Sequence, residues 1–145
     1  MGKKVIKYWE RYKNQETRNK QYSITNIQNS KKTKFDLEDR TTEFAKRVIR
    51  LCKVLPKDAM NNRLIGQIVG SAGSIGANYR EANDALGKKD FCHRLKIARK
   101  EAKETMHWLI LIEEANPEVK DRTVDLMKEA TELKNILSSI IIKSQ

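Results

Sequence analysis

The chain has 145 residues, two cysteines, six glycines and a formal net charge of +11. That length accommodates one domain with a real core, while so few turn residues argue against a β-sandwich or barrel. The positive excess points to an acidic partner, either nucleic acid or an anionic membrane surface.

The charge is concentrated at the start. Residues 1–34 hold ten Lys or Arg against two acids, whereas residues 35–145 hold 20 against 17. The first segment is rich in Lys, Asn and Gln and has no sustained apolar period. It is predicted to be a flexible basic arm with a short helix around Val5 to Tyr12. Its candidates for phosphate contact are Lys3, Lys4, Lys7, Arg11, Lys13, Lys31, Lys32 and Lys34. A solvated tail without a role and an extension upstream of the natural start are the competing readings. Asp36 is placed to cap the first helix of the ordered domain, expected over residues 35–145.

Four apolar seams follow in chain order, each stepping alternately by four and three residues. The first is Leu37, Thr41, Phe44, Val48, Leu51 and Leu55, ended by Pro56. The second is Asn61, Ile65, Ile68, Ala72, Ile75, Tyr79 and Ala82, with Gly87 expected as its C-terminal stop. The third is Phe91, Leu95, Ala98, Ala102, Thr105, Leu109 and Ile112, ended at Asn116-Pro117. The fourth is Val119, Thr123, Leu126, Ala130, Leu133, Leu137 and Ile140. Near-heptad seams joined by short links predict an all-α protein, an up-down-up-down left-handed four-helix bundle. Its second to fourth helices should be ~25 residues, about 38 Å, long.

The stretch GSAGSIGAN, residues 70–78, resembles a phosphate loop only in its glycines. The seam runs straight through it, no strand precedes it, and Gly-Lys-Ser/Thr is absent, so nucleotide binding is not expected. Each interior glycine costs ~1 kcal/mol of helix propensity and needs a reason. Gly66, Gly70, Gly73 and Ala77 fall on the face away from the seam, where a strip without side chains would admit a neighbouring subunit. Close packing inside the protomer is the alternative, because seam labels drift on a real helix. Trp108 to Ile112 is apolar on nearly all faces, and Ile136, Ile141 and Ile142 lie outside the fourth seam. These residues are expected to need cover on more than one side, with Trp108 at an oligomer contact.

Catalytic, cofactor and metal sites are not expected. Glu104 and His107 form Glu-x-x-His, but a di-iron bundle needs two copies and two further carboxylates. His93 and His107 read as solvated surface residues. Cys52 and Cys92 fit neither a disulfide framework nor a zinc motif and read as small, half-buried helix residues. No apolar run reaches the ~18 residues needed to span a bilayer, and no signal core or myristoylation motif opens the chain. A soluble, cytoplasmic protein without a membrane partner is the expectation.

Basic residues dominate the first half of the third helix. Lys89, Lys96 and Lys103 recur every seven residues beside Lys100 and His93, making an outward stripe. A stripe of this kind is either a solvated face or, with the arm, a contact for RNA phosphates. No base-reading motif accompanies it. Asn78, Glu81, Lys89 and Glu101 flank the turn between the second and third helices and are expected to fix it as a polar network.

The segments FDLEDRTTEFAKRVIRLCKVLP, GSAGSIGANYREANDALGKKDF and KIARKEAKETMHWL together resemble the four-helix-bundle proteins encoded in intervening sequences of bacterial 23S rRNA genes. The matching signature is Ser74, Ile75, Asn78 and Glu81, then Lys89, Asp90 and Phe91, then Ala98, Glu101 and Glu104. The resemblance is close over about residues 35–118 and extends to the fourth helix by pattern only. It implies a left-handed up-down-up-down bundle that assembles as a ring, commonly a homopentamer, with structural roles for Ser74, Asn78, Glu81, Lys89, Glu101 and Glu104. A related branch is similar to the accessory proteins of diversity-generating retroelements, basic pentamers that partner a reverse transcriptase and its RNA. The long arm departs from the family's usual short start. The expectation is therefore a non-enzymatic homo-oligomer that binds RNA or a ribonucleoprotein, or alternatively an adaptor module with a protein partner.

Overall fold

Each of the four seams folds as one helix. The computed structural model describes residues 37–145; the expected arm with its lysines, and the capping role of Asp36, lie outside the described residues. Helix α1 is Leu37–Val54, α2 is Ala59–Asn83, α3 is Lys88–Ala115 and α4 is Lys120–Ser144, with one 3-10 turn at Pro117–Val119 before α4. Among the described residues there is no strand. The fold is an all-α bundle in which each helix packs on its sequence neighbours and α1 also touches α4.

Burial follows the seams. Every seam residue of α1, α3 and α4 is buried, and in α2 only Ile65 is half-buried. Val48, Ile68, Ile75, Leu95, Leu109, Leu133 and Leu137 are fully inaccessible. Burying each such side chain is worth about 1.5–3 kcal/mol, which is what holds helices this long together. Cys52 and Cys92 are buried free thiols, and burial pushes the Cys52 thiol up to about 11. It stays protonated and unreactive at neutral pH.

The helix ends are set by local chemistry. Asp58 caps α2, its carboxylate accepting the Asn61 N–H at 2.8 Å, a device worth about 1 kcal/mol. The other end of α2 departs from the sequence expectation. The helix stops at Asn83, where the Asp84 N–H reaches the Arg80 and Glu81 carbonyls at 3.2 Å. Gly87 instead stands before α3 in an extended conformation, φ −166° and ψ 171°. It starts the third helix rather than ending the second.

Two polar contacts fix the register of α2 on α3. Thr105 donates to the Ser71 hydroxyl at 2.9 Å in the buried interface. At the far end the buried amides of Asn61 and Asn116 exchange hydrogen bonds of 3.1 and 2.8 Å. Helix α1 is held by its charged flank. Glu38 accepts from Arg80 at 3.0 Å and from Asn83 at 2.8 Å, while Arg40 bonds Glu129 and Glu132 of α4. Gly76 lets α1 approach: a Cβ there would lie 3.0 Å from the Thr41 hydroxyl.

Candidate nucleic-acid and assembly surfaces

The basic stripe of α3 points to solvent. Lys89, Lys96, Lys100 and Lys103 are all exposed, as is His93. Among the described residues none of these lysines is ion-paired. The nearest charge pairing on this helix is Arg94 with Asp90, 3.8 Å apart. Lys89 to Lys103 spans about 21 Å of helix at 1.5 Å per residue, so the stripe is a row of unneutralised charge rather than a single point.

The glycine strip of α2 is also open. Gly66, Gly70, Gly73 and Ala77 are exposed. A Cβ added at Gly66, Gly70 or Gly73 would meet nothing within 4 Å. Packing inside the protomer therefore does not explain these three, in contrast to Gly76. On α3, Trp108 is half-buried and its indole N–H is shielded from solvent without an acceptor among the described residues. The His107 ring stands edge-on to it, with centroids 5.0 Å apart. One turn on, Ile110 is 58% exposed, and Leu111 beside it is also open.

The end of α4 differs from expectation. Ile141 is 2% exposed and Ile136 is half-buried against the core, so only Ile142, at 70%, is left uncovered. A straight helix drifts about 20° per heptad against a strict seven-residue repeat. By its last turn α4 has rotated Ile141 and Ser144 inward.

The signature residues lie along the α2–α3 side of the bundle, yet they do not form the expected network. Among the described residues no hydrogen bond or ion pair joins Asn78, Glu81, Lys89 and Glu101. The Asn78 amide turns back to the Ser74 carbonyl at 2.9 Å, and the Ser74 hydroxyl to the Gly70 carbonyl at 2.8 Å. Glu81 and Lys89 are solvated, and Glu101 and Glu104 are half-buried. The turn is closed by backbone instead, Ala85 N–H to the Ala82 carbonyl and Phe91 N–H to the Gly87 carbonyl. Desolvation, and then the neighbouring Glu104 carboxylate, raises the Glu101 carboxyl above its usual range.

His107 is exposed, and among the described residues no three His, Cys, Asp or Glu side chains are grouped to hold a metal ion. No helix among the described residues is long and apolar enough to cross a membrane. Sequence reasoning missed one feature, a cleft between α1 and α4 lined by Arg47, Arg50 and Arg122. Its residues come from helices more than 70 positions apart in the chain, so no local pattern announces it.

The family model for the 23S rRNA-intervening sequence protein matches residues 33–139. No curated protein matches the chain. Among solved structures, similarity extends to a protein with unknown function from the S23 ribosomal protein family of Bacteroides thetaiotaomicron. The two are 35% identical, with a TM-score of 0.65, over 73% of this chain and 98% of that one.

Proposed function

The chain belongs to the 23S rRNA-intervening sequence protein family, and from that premise we propose a non-enzymatic, homo-oligomeric bundle that binds RNA or a ribonucleoprotein through basic surfaces. The observation that carries this reading is the exposed, unpaired row Lys89, Lys96, Lys100 and Lys103. An unpaired row of cations releases counterions when phosphates replace them, which gives affinity without base specificity. The arm of residues 1–34, with ten basic residues to two acids, adds to the same attraction.

The bundle itself is proposed to be left-handed and up-down-up-down, as four-residue links between packed neighbours favour. The uncovered Gly66, Gly70 and Gly73 strip, with half-buried Trp108 and exposed Ile110, supports assembly into a ring. The resemblance to the retroelement accessory proteins favours five subunits, and a cytoplasmic setting goes with that reading. The same apolar residues favour, as a second reading, an adaptor whose partner is a protein.

Fluorescence anisotropy with single-stranded RNA across a salt series tests the proposal. Changing Lys96, Lys100 and Lys103 to Gln removes three charges per protomer. The slope of log affinity against log salt should flatten by about 2 for each protomer on the strand, equally for all RNA sequences. Unchanged affinity and slope refute the stripe. Absence of any salt-sensitive RNA binding by the full chain refutes the RNA reading and leaves the adaptor.

A further inference from the structure

Helices α1 and α4 face each other through charge, and their register makes two neighbouring levels unlike. At one level Arg40 of α1 meets the Glu129 and Glu132 carboxylates of α4. Seven residues further along α1 stands Arg47, and seven back from Glu129 along α4 stands Arg122. Both line one cleft of about 160 Å³, with Arg50 and Asp125 at its sides and Leu51 and Leu126 as its floor. In place of the cation–carboxylate match at the Arg40 level, the cleft is lined by half-buried Arg47 and exposed Arg122, with the exposed Asp125 as its one carboxylate.

None of the neighbouring acids resolves this. Glu43, one turn before Arg47, gives its carboxylate to Arg50 at 2.7 Å. Among the described residues Arg47, Arg122 and Asp125 have no ion pair at all. Arg47 is half-buried, and Leu51 and Leu126 beneath it are 1% and 3% exposed. An apolar floor excludes water on one side and strengthens any charge interaction above it. Like charges gathered over such a floor repel, unless an anion sits between them. The arm of residues 1–34 is itself strongly basic and has the wrong sign to fill the gap.

The geometry points to an oxyanion site: the α1–α4 cleft binds one phosphate group, held by Arg47 and Arg122 with Arg50 at the rim. Guanidinium forks match phosphate oxygens two at a time, which a lysine cannot do. With Arg50 taken by Glu43, the two unpaired guanidiniums of Arg47 and Arg122 against the one carboxylate of Asp125 suit a single anionic group. The volume is well below the ~300 Å³ at which pockets for whole small molecules begin, so the site takes the phosphate and leaves the rest of its carrier outside. That carrier is a free phosphate ion, a terminal phosphate or a backbone diester of RNA. This site lies on a different pair of helices from the lysine stripe and does not depend on the RNA reading.

The test is thermal unfolding of the full chain in inorganic phosphate, with sodium chloride adjusted to hold ionic strength constant. At tenfold the dissociation constant, bound phosphate should raise Tm by about 5 °C. The Arg47→Gln/Arg122→Gln double variant should unfold at or above the wild-type temperature without phosphate, being relieved of repulsion, and should show no phosphate response. The Lys96/Lys100/Lys103→Gln variant should respond like wild type, which separates this site from the stripe. Absence of a saturable response in wild type, or an equal response in the arginine variant, overturns the proposal. An arginine variant that unfolds without phosphate more easily than wild type also overturns it, because the two arginines would then be structural. Short RNAs with a 5′-phosphate or a 5′-hydroxyl, used as competitors, assign the carrier. Competition by both indicates the backbone, by the first alone a terminal phosphate, and by neither the free ion.

Discussion

Asn116→Ala should be among the costliest substitutions outside the apolar seams. Asn116 and Asn61 are 2% and 1% exposed, and their side chains exchange two hydrogen bonds. Truncating Asn116 leaves the Asn61 oxygen without its donor, while the Asn61 amide N–H still reaches Asp58 at 3.2 Å. The Ile112 carbonyl is less affected, because the backbone N–H of residue 116 already reaches it at 2.9 Å. One orphaned buried acceptor costs about 1–3 kcal/mol, and the lost side-chain volume adds to it. A total near 2–3 kcal/mol corresponds to a fall in Tm of roughly 10 °C for a domain of this size. Urea unfolding followed by circular dichroism measures it, at one fixed protein concentration so that any assembly contributes equally. Changing both residues to Leu should cost at least about 1 kcal/mol less than the two single Leu changes added together, since no amide is then left unpaired. A single-variant loss below about 0.5 kcal/mol, or strict additivity in the double variant, would refute the paired-amide account of how α2 is registered on α3.

Gly73→Leu should abolish assembly while leaving a helical monomer, because the added side chain enters open space on the protomer but occupies the approach of a neighbour; an unchanged mass by light scattering would remove the strip from the interface. Glu101→Gln should stabilise the protein at pH 7 by at least about 0.3 kcal/mol, because it relieves first the desolvation of the half-buried carboxylate and then its i,i+3 repulsion from Glu104, the latter alone being of that scale. The folded Glu101 carboxyl holds its proton to higher pH than the unfolded one, so its destabilising effect grows as pH rises through the carboxylate range and is complete above it. The gain should therefore vanish below about pH 4; a variant less stable than wild type at pH 7 would mean that a cation pairs with Glu101.

The seams were legible because burial is indifferent to partner identity. Leu95 or Leu133 is driven inward whichever helix it meets, so a period read along one segment identifies the face that will be covered. The family resemblance came from the same local residues, and the family match over residues 33–139 bears it out. The outward placement of Gly66, Gly70, Gly73 and the stripe lysines follows equally from spacing within a single helix. Where a boundary depended on hydrogen bonding rather than burial, local pattern was weaker: Gly87 starts α3 because the backbone had already closed α2 at Asn83. Slow rotation of a real helix against a seven-residue repeat likewise moved Ile141 into the core. Tertiary structure alone decided the specific polar partners. Asn61 stood in an apolar seam with no visible reason until Asn116, 55 residues away, supplied the complementary amide. Arg40 and Arg47 occupy equivalent positions one heptad apart on α1, and nothing near them in sequence distinguishes their fates. Two carboxylates across the gap neutralise the first, whereas the second shares its cleft with another arginine and has no ion pair among the described residues. Directional and charged contacts depend on what another helix presents at that level, and that is fixed only when the helices pack.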